Sequence, residues 1–140
     1  MLARAFARNP LHIAMFGRHV LVRNEAFFAQ RLVSSAGPWW AAIRGGSVAG
    51  VIHWLTEDDV DPPRVTLGPL GVAPEAQRCG IGTRLMGQFC AAVDADKRAG
   101  YLETDQVANI DFYRRFEFDV VGEIPVGGVV QYVMWRPALL

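Results

Sequence analysis

The chain has 140 residues, 51% hydrophobic and 20% charged, with 14 basic and 14 acidic side chains and zero net charge. Such a composition suits one folded domain over residues 1–140, burying about two thirds of its unfolded surface, and excludes a disordered chain. It offers no electrostatic footprint for nucleic acid or an anionic membrane, and no apolar run long enough to span a bilayer. Apart from Lys97 the basic residues are all arginine, a bias of composition and not a binding patch. Cys79 and Cys90 lie in or beside one helix without metal-ligand spacing, so free thiols, no metal and a cytoplasmic setting are expected.

Residues 2–9, with Leu2 and Phe6, predict a short helix stopped at Asn9-Pro10. Residues 20–33 carry Leu21, Phe27, Phe28, Leu32 and Val33 and predict a second helix, ending before Ser34-Ser35-Ala36-Gly37-Pro38. Strands at 39–43 and 48–55 follow, joined across Arg44-Gly45-Gly46-Ser47, a hairpin signal. An acidic, proline-containing turn over 57–63 leads to a third strand at 64–72. The next helix places Ile81, Leu85, Met86, Phe89, Cys90 and Val93 in one core-facing stripe, and ends at Lys97-Arg98 with Gly100 just beyond. A strand at 101–105, a helix from Ala108, and strands at 118–123 and 129–135 complete an α+β order, α-α-β-β-β-α-β-α-β-β.

Between the third strand and its helix stands Gln77-Arg78-Cys79-Gly80-Ile81-Gly82. Glycines at 80 and 82 let a ligand approach the backbone with no side chain between them. The first N–H groups of the helix are free, and its dipole favours an anion there. Strand, glycine turn and helix start together make a pyrophosphate cradle. A dinucleotide fingerprint would need a third glycine or alanine where Leu85 stands, and a P-loop would need a Gly-Lys-Ser/Thr that the chain lacks.

A second segment runs Leu102-Glu103-Thr104, then Asn109, then Phe112-Tyr113-Arg114-Arg115-Phe116-Glu117-Phe118. Asn109 and Tyr113, four apart, share one helix face. The two segments, in this order, resemble the acyl-CoA loop and the second block of the GCN5-related N-acetyltransferases (GNAT). The wording of the second is similar to that of puromycin N-acetyltransferase and its relatives. The resemblance runs from about Arg64 to Pro137.

The resemblance implies a GNAT fold: a mixed, mostly antiparallel central sheet with splayed middle strands and flanking helices. The family's usual first strand is lacking here, which leaves an edge open or covered by a partner, as in a homodimer. It implies transfer of an acetyl group from acetyl-CoA, without a metal, to a primary amine of a small molecule. A protein N-acetyltransferase, or a catalytically weak CoA-binding sensor, are the alternatives. Backbone near Val72 and Ala73 would pair with the pantetheine arm, and an N–H of the third strand near Val72 would be the oxyanion donor. N–H groups of Arg78, Cys79, Gly80, Ile81, Gly82 and Thr83 would hold the pyrophosphate, with Gln77 and Asn109 alongside.

Tyr113 would then be the acid that protonates the leaving thiolate, its ordinary pKa of about 10 keeping it protonated at neutral pH. Many family members carry a glutamate on the third strand, and this chain has none there, so Glu103 is the first choice of base. Asp105 is expected to cap the following helix, and His53 to be a satisfied core residue. Trp39, Trp40 and Trp54 are core or pocket wall. Glu117 stands where relatives have a glycine at a helix end, a position that favours φ > 0.

Overall fold

The computed structural model describes residues 1–34 and 36–140, with the side chains of Arg18, Val33 and Ser34 outside that description. In chain order its elements are α1 (Leu2–Ala5), α2 (Pro10–Phe16), α3 (Val20–Ser34), β1 (Trp39–Arg44), β2 (Ser47–Glu57), β3 (Arg64–Val72), α4 (Ile81–Ala95), β4 (Ala99–Thr104), α5 (Val107–Arg114), β5 (Asp119–Val126) and β6 (Val129–Arg136). The order agrees with the sequence reading except at the start, where the single helix expected over 2–9 is replaced by α1 and α2. Asn9 is the N-cap of α2, its side chain accepting the His12 N–H at 3.0 Å, and Pro10 sits where a missing N–H is harmless. A pair read as a stop is a start. In the break predicted before β1, Ser35 lies outside the described residues.

The strands form one six-stranded sheet in the order β1-β2-β3-β4-β6-β5. Every pairing is antiparallel except β3 with β4. Two-residue turns close both hairpins: Gly45 and Gly46 have φ of +57° and +77°, and Gly127 and Gly128 of +57° and +78°. Those positive angles match the right-handed twist of the flanking strands.

Helices cover both faces. A Cβ added at Gly50 would strike Ile81 of α4 at 2.7 Å, whereas one at Gly71 would strike Leu2 of α1 at 2.7 Å. Gly50 pairs with Val72, the residue after Gly71, so α4 and α1 lie on opposite faces. Under α4 and α5 the fully buried core comprises Ile52, Val65, Met86, Phe89, Val93, Leu102, Phe118 and Met134. The N-terminal helices build a smaller aromatic layer in which His12 Nδ1 meets Asn24 Oδ1 at 2.6 Å and Asn24 donates to the Ala3 carbonyl. The rings of Phe6, Phe16, Phe27 and Phe28 surround that imidazole.

One helix end departs from the sequence reading and another follows it. The left-handed residue that ends α4 is Lys97, at φ +52°, and not Gly100. Gly100 lies inside β4, where a Cβ would come within 2.9 Å of the Phe118 ring. After α5, Glu117 does adopt φ +67°, and its carboxylate reaches Arg136 at 3.3 Å. Arg136 is buried, bonded also to Asp94 and to the Phe116 carbonyl.

Candidate active site

The parallel ladder between β3 and β4 is short. It pairs Arg64 with Ala99, Val65 with Gly100 and Thr66 with Tyr101, and then stops. Beyond Thr66, β3 runs on to Val72 while β4 turns to β6, which it pairs through Thr104. The strands therefore splay, and backbone groups of β3 from Leu67 onward face a gap. That gap opens into a cleft of about 720 Å³.

One end of the cleft is the start of α4. Gly80, at φ +82°, is its N-cap, and no side chain caps it. The first backbone bond runs from Arg84 N–H to the Gly80 carbonyl at 3.1 Å, leaving the N–H groups of Ile81, Gly82 and Thr83 for a ligand. A Cβ at Gly82 would make only ordinary contacts, 3.6 Å to Phe112 and 3.8 Å to Val72, so the glycine keeps the floor low without being sterically obligatory. Arg78 reaches the turn at φ +63°, and Gln77 folds back to donate to the Val72 carbonyl at 3.2 Å.

Of the residues singled out from sequence, Val72, Gln77, Arg78, Gly80, Ile81, Gly82, Thr83, Glu103, Asn109 and Tyr113 all line this one cleft. Ala73 and Cys79 do not line it: Ala73 is buried and Cys79 is exposed elsewhere on the loop. The Ala73 N–H is taken by the Ala49 carbonyl at 2.8 Å, and Cys79 Sγ accepts from the Arg44 guanidinium at 3.0 Å. Arg44, from the far side of β1, thus brings a cation beside the cradle loop. The sequence placed it only in a hairpin turn.

The other end is built by β4, α5 and the N-terminal helices, with Phe6 and Asn9 in the wall. Tyr113 is buried on α5 and has no hydrogen-bond partner among the described residues. Burial, and secondarily the Asp105 carboxylate, push its phenol up to about 12. Glu103 is exposed at the mouth and accepts from the Tyr101 hydroxyl at 2.9 Å. Asp105 does not cap α5. It accepts from Asn9 Nδ2 at 2.8 Å and from the Leu11 N–H at 2.6 Å, tying the start of α2 to the end of β4. His53 lies outside the wall, stacked on Trp39, with its Nε2 at 2.5 Å from the Ala36 carbonyl. Among the described residues no group of three His, Cys, Asp or Glu could hold a metal ion, and no helix is long and apolar enough to cross a membrane.

Solved structures share this architecture. A Corynebacterium glutamicum protein described as histone acetyltransferase HPA2 and related acetyltransferase superposes with a TM-score of 0.84 at 22% identity, over 99% of this chain and 88% of that one. The Escherichia coli ribosomal-protein-S18-alanine N-acetyltransferase gives 0.68 at 20% identity, over 83% and 77% of the two chains. Aminoglycoside 6'-acetyltransferase type Ii gives 0.67 at 19% identity, over 99% and 88%. At such identities the likeness is one of fold. No curated protein sequence matches significantly. The model of the acetyltransferase (GNAT) family, however, matches residues 8–118, and with the splayed strands and uncapped helix start in place the chain belongs to that family, an acyl-CoA-dependent N-acetyltransferase.

Proposed function

We propose that this enzyme transfers an acetyl group from acetyl-CoA to a primary amine of a small molecule. The observation that carries the reading is the cleft itself: an anion-binding helix start at one end, and Tyr113 with Glu103 at the other. The co-substrate supplies an activated thioester. The free N–H groups of Ile81, Gly82 and Thr83 suit its pyrophosphate, with Arg78 adding charge. The exposed backbone of β3 up to Val72 suits the extended arm.

Glu103 and Tyr113 stand on opposite sides of the sheet. Leu102 packs into the core beneath α4 and α5, so Glu103, the next residue, points the other way, while Tyr113 sits on α5. In the proposed reaction Glu103 takes a proton from the acceptor's ammonium group. The amine nitrogen bonds the acyl carbon, the carbon–sulfur bond breaks, and Tyr113 faces the departing sulfur. A phenol near 12 is a much weaker acid than a thiol near 8.5. Tyr113 therefore stabilises the thiolate by donating a hydrogen bond; of the ammonium's three protons one stays on the amide nitrogen, one ends on the CoA thiol, and one leaves to solvent through Glu103.

The small-molecule reading rests on the acceptor end, where Asp105 ties α2 down and leaves Phe6 and Asn9 as wall. With its two cysteines free, one exposed and one buried, the enzyme suits a reducing cytoplasm. Thiol release from acetyl-CoA with a panel of small amines and of short peptides tests the acceptor. Turnover with at least one small amine is expected. Turnover confined to peptides would make it a protein N-acetyltransferase, and acetyl-CoA binding without turnover would make it a sensor.

A homodimer through β1 is part of the same reading. This outer strand carries no charge before Arg44, and Trp40 and Ile43 are exposed. The opposite edge, β5, carries Asp119, Glu123 and Pro125, which discourage pairing. A two-fold axis through Ala42 would set Trp40 against the partner's Arg44 and Ala41 against the partner's Ile43, a self-complementary pairing with no like charges opposed.

A further inference from the structure

We infer that Tyr101 is a positioning residue: it holds the Glu103 carboxylate at the mouth of the cleft, and is itself held by a network stapling the fork between β3 and β4. This rests on the reading of Glu103 as the base.

The network starts where the strands part. Thr66 and Tyr101 are the last pair of the parallel ladder, and their side chains share a face with Arg64 and Glu103. The Tyr101 hydroxyl donates to Glu103 Oε1 at 2.9 Å. The Arg64 guanidinium lies over the Tyr101 ring, 3.8 Å from its centroid, and Trp135 packs edge-on from β6. Arg64 is fixed in turn by Glu57, to which its Nε donates at 2.8 Å, and Thr66 Oγ1 donates to the same carboxylate oxygen at 2.5 Å. Four strands, β2, β3, β4 and β6, thus contribute to one network of contacts that reaches Glu103.

The chain has a chemical consequence. An exposed carboxylate on a mobile stem has many rotamers, and only a few point it at an amine in the cleft. A phenol held under the Arg64 cation, with the Trp135 ring edge-on to it, removes that freedom. A sheet that merely needed filling at this position would be served by phenylalanine. The hydroxyl is what reaches Glu103.

Tyr101→Phe keeps the ring, the cation above it and the fork, and removes only that hydrogen bond. In the full-length enzyme, Tyr101→Phe should lower kcat with a competent amine on the order of tenfold, because Glu103 then spends less time aimed at the amine, and leave the acetyl-CoA thermal shift unchanged. Damage to the fork would instead weaken acetyl-CoA binding as well. Glu103→Gln separates the two readings: with Glu103 gone, adding Tyr101→Phe should cost nothing further. If Tyr101→Phe costs as much in the Glu103→Gln background as in wild type, the positioning role is overturned and the base stands. If Glu103→Gln alone keeps the wild-type rate, the base assignment falls, and the inference about Tyr101 falls with it. A wild-type kcat in Tyr101→Phe would also overturn the inference.

Discussion

Tyr113 and Tyr101 are both held far from their ordinary acidity, for related reasons. Burial acts first on each, followed by a carboxylate: Asp105 for Tyr113, and Glu103, which accepts the Tyr101 hydrogen bond, for Tyr101. Each is pushed up to about 12, so in the folded protein two of the three tyrosines should ionise near pH 12, against about 10 in an unfolded chain. The unfolded state then loses its protons first. Stability is unaffected below about pH 10 and falls as pH rises from about 10 to about 12. Phenolate absorbance, with urea midpoints at about pH 9 and about pH 11, checks both statements. Tyr113→Phe should lower kcat on the order of a hundredfold, the effect of losing one hydrogen-bond donor to the charge developing on sulfur, and leave acetyl-CoA affinity nearly unchanged, because one atom is lost and the ring still packs. Full activity with a competent amine at saturating acetyl-CoA would remove Tyr113 from the reaction.

At the scale of the element, the start of α4 and the end of α5 carry opposite lessons about glycine. Gly82 has room for a Cβ, but the branched methyls of valine would rise into the cleft. Gly82→Val should therefore abolish the rise in melting temperature with acetyl-CoA while the apo protein stays folded. A normal shift would mean that the ligand does not lie on this turn. Glu117 has the left-handed backbone that suits glycine, at a cost of about 1 kcal/mol. Its ion pair with Arg136 offsets little, since the Glu117 side chain is 75% exposed and Arg136 keeps Asp94. Glu117→Gly should be neutral or stabilising in urea denaturation. Glu117→Ala, which keeps the strain and loses the pair, should be less stable than Glu117→Gly by about 1 kcal/mol. These two features were legible because glycine spacing and helix-end chemistry are local. The start of α2 was not, because Asn-Pro is both a stop and a start signal and only the packing of Phe6 and His12 against α3 decides between them. Nor were the partners of Asp105. Asn9 and Leu11 lie more than ninety positions away in sequence and meet it only once β4 is paired.

For the whole molecule, register did what composition could not foresee. The cleft exists because a ladder of three pairs stops at Thr66 and Tyr101, and nothing in the strand sequences marks that point. The open edge, in contrast, follows from the order of elements, and β1 offers a test at this scale. If two chains pair through it about Ala42, that residue faces its own copy, within the Cα separation of about 4.5–5.5 Å of an antiparallel pair. A disulfide spans about 4.4–6.8 Å. In a Cys79→Ser background, Ala42→Cys should therefore form a covalent dimer under mild oxidation. Ile43→Lys should lower the sedimentation mass to that of a monomer, since the lysine would lie in an apolar seam beside Ala41. It should leave acetyl-CoA binding intact, because Ile43 is exposed on the outer strand and takes no part in the cleft wall. A wild-type protein that sediments as a monomer at every concentration, with no cross-link from Ala42→Cys, would mean that β1 remains a free edge, and its exposed Trp40 and Ile43 would then have to be explained by some other contact.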